Sequence, residues 1–283
     1  MANTSKAVLI TGCSTGIGRA TALRLARSGW TVYATARRPE SIADLADTGC
    51  HTLALDVTDE ESMRAAVQAV EQAEGAVGVL VNNAGYGQSG PLEQIPPDAV
   101  RRQFETNVFG AIRMAQLALP AMRRQHWGKI VNVGSMGGRL TFPGGGLYHA
   151  TKYALEALSD ALRFEVRGFG VDVVLIEPGL ITTEFAQTSV ATAAAGDGAA
   201  EDVYGAFNAK LAALTIGVYE SPMRHLGGGP DVVAKAIEKA ITRRRPRTRV
   251  PVTASARLSI IQRRLLPDRV WDAAMRSQFP QPR

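Results

Sequence analysis

The stretch TGCSTGIG, residues 11–18, follows the apolar run AVLI at residues 7–10 and leads into a helical pattern over residues 17–27. Its glycines are spaced G-x-x-x-G-x-G, and glycine lets a backbone turn sharply and approach a ligand closely. A helix that begins after such a turn offers unpaired N–H groups and a partial positive charge. A strand, a glycine-rich turn and a helix in this order predict a dinucleotide-binding unit near the start of the chain.

Short apolar runs and helical patterns alternate along the rest of the chain. The runs cover residues 31–34, 52–55, 77–81, 130–133, 171–176 and 249–252, and the helical patterns cover residues 60–73, 100–124, 148–167 and 231–241. This alternation predicts parallel strands with helices on both faces, because parallel strands need crossover connections. We therefore expect an α/β fold with a Rossmann-type, doubly wound parallel sheet whose ligand lies at the carboxyl ends of the strands.

No internal repeat or domain boundary interrupts this pattern, so residues 1–283 are predicted to form a single domain. Residues 186–229 are rich in Ala, Gly, Ser and Thr, and we interpret them as a helical lid over the substrate site. The alternative is a variable surface insertion. Two amphipathic patterns within residues 253–283 predict a C-terminal helical extension.

Composition excludes several classes of protein. The chain is 46% apolar, lacks a long uncharged apolar run and has two cysteines, which argues against transmembrane, disulfide-rich and zinc-binding proteins. We expect a cytoplasmic protein without a signal peptide, integral membrane association or a metal site. The net charge is +6, and arginines are dense at residues 243–249. We interpret them as a solvated surface, with an anionic surface or acidic partner as the alternative; no nucleic-acid motif accompanies them.

Further motifs follow the predicted strands in a fixed order. NNAG occupies residues 82–85, Asn107 lies in a helical pattern, Ser135 follows the fifth run, YHATK occupies residues 148–152 and PGLITT occupies residues 178–183. With the glycine spacing, this ordered set resembles the short-chain dehydrogenase/reductase family over residues 7–185. The second strand and the long C-terminal region look most like the branch that holds 17β-hydroxysteroid and retinol dehydrogenases.

The predicted catalytic group is Ser135, Tyr148, Lys152 and Asn107. Tyr148 and Lys152 are four residues apart, so they share a helix face. A nearby ammonium favours the phenolate, which lets tyrosine exchange a proton near neutral pH. Ser135 can hydrogen-bond the same substrate oxygen. The resemblance implies that Lys152 also binds the nicotinamide ribose and that Asn107 supports Lys152. Each of these residues also has an alternative interpretation when taken singly. Tyr148 and Lys152 could be a surface pair, Ser135 a turn residue and Asn107 a buried core amide.

The second strand predicts the cofactor. Residues 34–38 read ATARR and carry no carboxylate for a ribose 2′-hydroxyl, whereas arginine suits a 2′-phosphate. We therefore predict NADP(H), bound through Arg37 and also Arg38; the alternative is that both face solvent. Asp56 and Val57 resemble the family's adenine-contacting pair, with a helix-capping aspartate as the alternative. The predicted cofactor-binding residues are Gly12, Ser14, Thr15, Gly16, Ile17, Gly18, Arg37, Arg38, Asp56, Val57, Asn83, Ala84, Gly85, Tyr148, Lys152, Pro178, Gly179, Ile181 and Thr183.

The sequence thus predicts an NADP(H)-dependent enzyme that interconverts a hydrophobic ketone or aldehyde and its alcohol by hydride transfer. The alternative is a non-catalytic dinucleotide-binding sensor or scaffold, which would not need the four catalytic residues together. The resemblance also implies a homodimer or homotetramer. Apolar residues predicted to line the substrate pocket are Met136, Leu140, Phe142, Leu147, Leu180, Phe185, Val190, Val203, Tyr204 and Phe207.

Overall fold

The computed structural model describes residues 4–185, 188–189 and 203–281, and strands and helices alternate along them. The strands are β1 Val8–Ile10, β2 Val32–Ala36, β3 Cys50–Ala54, β4 Val79–Asn82, β5 Gly128–Val133, β6 Val171–Glu177 and β7 Arg249–Pro251. The α-helices are α1 Gly16–Arg27, α2 Glu60–Glu74, α3 Pro97–Phe104, α4 Gly110–Arg124, α5 Gly146–Val166, α6 Gly205–Glu220, α7 Pro230–Thr242, α8 Ala254–Leu265 and α9 Asp268–Gln278. Each predicted strand is present within a few residues of its expected bounds.

The strands form one parallel sheet in the order β3-β2-β1-β4-β5-β6-β7. The order reverses between β1 and β4, so the connections from these two strands leave the sheet in opposite directions. A crevice opens at the carboxyl ends of the strands at such a point. The predicted Rossmann-type, doubly wound fold is confirmed, and the glycine-rich turn after β1 lies beside this crevice.

Both faces of the sheet are covered, which explains why the strands are apolar without alternation. Val8 and Ile10 pack in a core with α1 and α7, whereas Leu9 between them packs in the opposite core with α2, α4 and α5. Successive side chains of a strand point to opposite faces, so a strand buried on both sides must be apolar throughout. The helices thus form two layers, with α1 and α7 on one side of the sheet.

The helical pattern predicted over residues 100–124 contains a local change of winding. Helices α3 and α4 are joined by a π-helical turn, Glu105–Phe109, that carries Asn107. A π-helical turn inserts an extra residue into the hydrogen-bond ladder and often occurs at functional sites. Asn107 is buried, at 1% exposure.

Residues 188–189 and 203–229 of the predicted lid fall within the described part of the chain. There, α6 is followed by a 3₁₀ turn, Pro222–Leu226; residues 186–187 and 190–202 lie outside the described part. The C-terminal extension comprises α8 and α9. Trp271 of α9 lies 6.1 Å from Phe142, ring centre to ring centre, and Phe279 lies 6.2 Å from Phe207 of α6. The extension therefore packs against the substrate-side loop and against α6.

Two features that the described residues lack bear on function. None of their helices is both long enough and apolar enough to cross a membrane. The same residues contain no group of three or more His, Cys, Asp or Glu side chains that could hold a metal ion.

Candidate active site

A cavity of about 880 Å³ lies at the carboxyl ends of the strands. Residues from every motif singled out in the sequence except Asn107 line it, although these motifs are spread over more than half of the chain. The predicted site residues that line the cavity are Gly12, Ser14, Thr15, Gly16, Ile17, Arg37, Asp56, Val57, Asn83, Ala84, Gly85, Ser135, Tyr148, Lys152, Pro178, Gly179, Ile181 and Thr183. Gly18, Arg38 and Asn107 are the predicted residues that do not line it.

The glycine-rich turn has the geometry that its sequence predicts. Gly12 and Gly16 have φ angles of +73° and +59°, which side chains other than glycine rarely tolerate. Gly18 lies behind the turn, where a Cβ atom would overlap the carbonyl oxygen of Gly12. Thr15 is the N-cap of α1, and its side chain makes no capping hydrogen bond. The Thr15 side chain therefore leaves the backbone N–H groups of the first turn of α1 without a capping acceptor at the cavity wall. Such N–H groups can donate hydrogen bonds to a pyrophosphate.

Asn83 holds this turn in place from the neighbouring strand. Its amide Nδ2 donates to the carbonyl oxygens of Thr11 and Gly12, both at 2.9 Å. The hydroxyl of Thr11 in turn accepts from the backbone N–H groups of Asn83 and Ala84. The NNAG segment therefore fixes the shape of the glycine-rich turn as well as lining the cavity.

The two arginines after β2 have different positions. Arg37 lines the cavity, whereas Arg38 lies outside its lining and is the N-cap residue of the 3₁₀ segment Pro39–Thr48. A third arginine, Arg102 of α3, lines the same cavity and was not singled out from the sequence, where no motif marks it. The structure therefore brings Arg37 and Arg102, rather than the adjacent pair, to the dinucleotide crevice.

Asp56 also lies in the cavity wall, where it accepts hydrogen bonds from the N–H and hydroxyl of Thr58 at 2.9 and 2.8 Å. The N-cap of α2 is Asp59, whose carboxylate accepts from the N–H groups of Glu61 and Ser62. The alternative interpretation of Asp56 as the helix cap is therefore wrong.

Lys152 is buried beside Tyr148. Its Nζ donates to the carbonyl oxygen of Val133 at 2.8 Å and lies 5.7 Å from the centre of the Tyr148 ring. Burial lowers the pKa of Lys152 to about 8. Ser135 lies on the same cavity, and its Oγ accepts from the N–H of Gly137 at 3.0 Å, which orients the hydroxyl side chain. The ammonium, the phenol and the hydroxyl thus belong to residues that line one cavity.

Asn107 acts behind this group. Its Oδ1 accepts from the N–H of Tyr86 at 3.1 Å, and its Nδ2 donates to the carbonyl oxygen of Tyr86 at 2.9 Å and to Oγ1 of Thr151 at 3.1 Å. Its described hydrogen bonds therefore reach the residue that precedes Lys152 rather than Lys152 itself. This geometry joins the π-helical turn, the segment after β4 and the catalytic helix α5.

The substrate side of the cavity is largely apolar. The ring of Phe185 lies 5.1 Å from that of Tyr148, and Met136, Phe142 and Leu180 complete the apolar wall. The other residues predicted for this pocket are not found in its wall. Leu140 and Leu147 are buried in the core, and Val190 lies outside the described residues. Val203, Tyr204 and Phe207 are described but do not line the cavity.

His149 fixes the loop between Ser135 and Tyr148. Its Nδ1 lies 2.9 Å from the carbonyl oxygen of Gly137, and its Nε2 accepts from the N–H of Phe142 at 3.3 Å. Burial lowers the pKa of this imidazole, which favours the neutral ring that these two contacts require. His149 therefore shapes the wall of the pocket, which it lines beside Tyr148.

Comparison with known proteins identifies the family. The model of the short chain dehydrogenase family matches residues 6–194 of this chain. The chain belongs to the short-chain dehydrogenase family. Its residues 11–18, 82–85, 148–152 and 178–183, the motifs that carried the resemblance, all lie inside this match and around one cavity. The protein is therefore an oxidoreductase of this family, whereas its place in the hydroxysteroid and retinol branch stays a prediction.

Relatives of this short-chain dehydrogenase span almost its whole length. It is 38% identical to the uncharacterized oxidoreductase YbbO of Escherichia coli, over 94% of this chain and 93% of the relative. It is 35% identical to the 3-ketodihydrosphingosine reductase of Bacteroides thetaiotaomicron, over 95% and 96% of the two chains. A solved short-chain dehydrogenase from Streptomyces avermitilis has a TM-score of 0.75 at 35% identity, with 96% of each chain covered. Other matched structures, at 25 to 26% identity, hold NADP.

The dehydrogenase also buries a carboxylate directly before Pro178. Glu177 ends β6, and Glu156 of α5 lies close to it, because Nη1 of Arg139 is 3.5 Å from Oε1 of Glu177 and 3.7 Å from Oε2 of Glu156. Within the described part of the chain, the Oε1 atoms of both carboxylates are buried without a hydrogen-bond partner. Burial, and then the charge of Glu156, raise the pKa of Glu177 to about 7. A proton on Glu177 can satisfy both oxygens.

Replacing Glu177 with glutamine should change how stability depends on pH. The unfolded carboxyl ionises near its usual pKa, whereas folded Glu177 keeps its proton up to about pH 7. Its contribution to the free energy of unfolding is therefore fully present below the unfolded pKa and is lost as the pH rises through the folded pKa. Glutamine cannot lose a proton, so thermal unfolding should show Glu177→Gln gaining stability over the wild type between about pH 5 and pH 8.

The matched control for this experiment is Glu40→Gln, which neutralises an exposed carboxylate. It should show no comparable gain over the same pH range. The prediction is wrong if the free energies of unfolding of Glu177→Gln and the wild type differ by the same amount at every pH in this range. That result would mean that folded Glu177 is already ionised over the whole range.

Proposed function

We propose that this protein is an NADP(H)-dependent oxidoreductase that interconverts a hydrophobic ketone or aldehyde and its alcohol. One observation carries the proposal: Ser135, Tyr148 and Lys152 line the same cavity as the glycine-rich turn, beside an apolar wall. A sensor or scaffold that only binds a dinucleotide would need the turn but not a buried ammonium next to a phenol. The geometry therefore favours catalysis over binding alone.

The residues of the crevice suit an extended dinucleotide. The turn at residues 11–18 and the first N–H groups of α1 would hold the pyrophosphate, and Arg37 would pair with a 2′-phosphate. The segment at residues 178–183 and Lys152 would hold the nicotinamide end. NADP(H), when bound there, supplies or accepts the hydride.

The side chains of the protein handle the proton and the substrate oxygen. In reduction, Tyr148 donates its hydroxyl proton to the carbonyl oxygen; in oxidation, it takes the proton from the alcohol. The Lys152 ammonium, 5.7 Å from the ring, stabilises the negative charge that then develops on the phenolate oxygen. Ser135 donates a hydrogen bond to the substrate oxygen and keeps it beside Tyr148. Asn107 is a positioning residue, because it acts through Thr151 and Tyr86.

The apolar wall defines the substrate class. Phe142, Leu180 and Phe185 offer aromatic and aliphatic surface beside Tyr148, and Glu184 is the charged residue that lines the cavity next to them. A lipid-like carbonyl suits such a wall, and the relative named 3-ketodihydrosphingosine reductase supports this class. We therefore propose long-chain ketones and aldehydes ahead of polar ones. We propose reduction as the direction in the cell, because the NADP(H) pool there is usually kept reduced.

The test of this class is a homologous series of carbonyl compounds with NADPH consumption as the readout. Burial of each methylene stabilises binding, so kcat/KM should rise by about fourfold per added CH₂ until the wall is covered. Phe185→Ala should flatten this rise and leave the shortest substrates little changed. Equal kcat/KM for short and long chains would contradict the hydrophobic class, and no turnover across the series would contradict the proposed reaction.

We further propose that residues 186–229 cover the substrate side and that the chain works as a single domain in a homodimer or homotetramer. The residue before α6 is tied to the segment after β4, because the Tyr204 hydroxyl donates to Oε2 of Glu93 at 2.6 Å.

We propose the cytoplasm as the location of the protein. Cys13 and Cys50 are free buried thiols, which suits a reducing compartment.

A further inference from the structure

A second groove, of about 340 Å³, runs between α7, the edge strand β7 and α8. We call it the basic groove, because five cationic side chains line it: Lys235, Lys239, Arg243, Arg247 and Arg257. No carboxylate is among its lining residues within the described part of the chain. It lies at the edge of the sheet and shares no lining residue with the active-site cavity.

The cations of the basic groove lack ion-pair partners in the described part of the chain, although Lys235 contributes to the electrostatic stabilisation of Glu238. None of the five forms an ion pair with a carboxylate in residues 4–185, 188–189 and 203–281. Lys235 and Lys239 are four residues apart, so they share one face of α7, and Arg243 continues that row after the last residue of the helix. Glu238, on the same helix, instead pairs with Arg24 of α1 at 2.6 Å. The positive charge of the groove is thus left for an external partner.

Apolar side chains lie between and beside these cations. Val232 begins the row on α7 and is 42% exposed, and Val250 and Val252 line the groove from β7 and the residue after it. On α8, Ile261 follows Arg257 after four residues and Leu265 follows after four more, so all three lie along one side of the helix. Ile261 and Leu265 are 54% and 74% exposed. The surface therefore joins cations to exposed aliphatic side chains.

We propose that the basic groove and the adjoining side of α8 dock the protein onto an anionic lipid bilayer. A bilayer of this kind offers phosphates to the cations and acyl chains to Ile261 and Leu265, whereas a nucleic acid or an acidic protein segment would satisfy only the charges. A second copy of this chain is an unfavourable occupant, because it would bring two sets of like charges together. The inference goes beyond the proposed activity and does not depend on it. A lipid-like carbonyl would be met at such a surface.

The experiment is cosedimentation of the full chain with vesicles of phosphatidylcholine alone and of phosphatidylcholine mixed in equal parts with phosphatidylglycerol. The wild type should bind the mixed vesicles and not the neutral ones. Each cation near an anionic surface changes affinity by about fivefold, so Lys239→Gln with Arg243→Gln should weaken binding by about 25-fold. The charge-matched control is Arg64→Gln with Arg124→Gln, on α2 and α4 of the opposite layer, and it should bind like the wild type.

The aliphatic side chains are tested separately. Raising the salt to about 0.5 M screens the charges, so the binding that remains should be lost in Ile261→Ser with Leu265→Ser. Circular dichroism of each variant establishes that it is folded. The proposal is overturned if the wild type does not bind mixed vesicles, if both charge pairs weaken binding equally, or if a DNA duplex binds the groove more tightly than the vesicles do. None of these readouts uses turnover, so a failure here leaves the proposed reaction untouched.

Discussion

Replacing Tyr148 with phenylalanine should lower kcat for carbonyl reduction by about a hundredfold to ten-thousandfold, the range that a positioned general acid contributes. The variant keeps the ring that packs against Phe185 and loses only the hydroxyl. Binding of NADPH should therefore stay within about twofold of the wild type, because the glycine-rich turn and Arg37 are unchanged. Steady-state kinetics and a fluorescence titration with NADPH measure the two quantities.

Tyr153→Phe is the matched control, because it removes a hydroxyl from the same helix at a side chain that is exposed and does not line the cavity. It should keep both kcat and NADPH affinity. Wild-type turnover in Tyr148→Phe would remove the assigned role of this residue. A parallel loss of NADPH binding would instead show that the hydroxyl supports the cofactor site.

Replacing Arg37 with alanine should lower kcat/KM for NADPH by about tenfold to a hundredfold and leave kcat/KM for NADH nearly unchanged. The reason is that only NADPH carries the 2′-phosphate, and a charge-assisted hydrogen bond to a guanidinium contributes roughly 1.5–3 kcal/mol. The wild type should accordingly prefer NADPH. Initial rates with each cofactor, at a fixed concentration of the best carbonyl substrate, give the two values.

Arg38→Ala provides the control for this prediction, since Arg38 adjoins Arg37 in sequence but lies outside the cavity lining. It should change neither value by more than about twofold, as expected for an exposed side chain without a partner in the site. If Arg37→Ala lowers kcat/KM equally with NADPH and with NADH, Arg37 does not select for the 2′-phosphate. A wild type that uses NADH at least as well as NADPH would contradict the predicted cofactor.

Much of the fold was predictable because its strands are buried on both faces. Apolar runs such as residues 7–10 and 171–176 stand out where no polar face is needed, and the glycine-rich turn fixes where the first helix begins. The π-helical turn at Asn107 was not predictable, since it arises from tertiary hydrogen bonds to Tyr86 and Thr151 rather than from local propensity.

The predicted site residues largely share one cavity, because motifs at the carboxyl ends of parallel strands converge in space. The exceptions follow from position: Gly18 serves packing behind the turn, and Arg38 follows the residue that faces the crevice. Arg102 was missed, since a helical arginine carries no sequence mark of what lies opposite it. Leu140 and Leu147 were wrongly placed in the pocket wall: Leu140 is fully buried, and Leu147, in the first turn of α5, packs against Ile95 and Ala99 instead.

Two features outside the motifs could be recognised only in the structure. The pairing of Glu156 and Glu177 joins residues far apart in the chain, and nothing in either segment marks their contact. The basic groove was partly visible as the arginine-rich stretch at residues 243–249, which we interpreted as a solvated surface. Lys235 and Lys239 complete it, and their spacing of four residues was a signal in the sequence that indicates a shared face of α7.

The most direct test of the central claim follows the hydride itself. The enzyme is incubated with a long-chain ketone and NADPH that carries deuterium at the transferable position, and the alcohol is analysed by mass spectrometry. The account predicts one deuterium on the carbinol carbon with the wild type and almost no labelled alcohol with Tyr148→Phe. Tight binding of NADPH without labelled alcohol from any ketone or aldehyde of the series would contradict it and would favour a protein that only binds the dinucleotide.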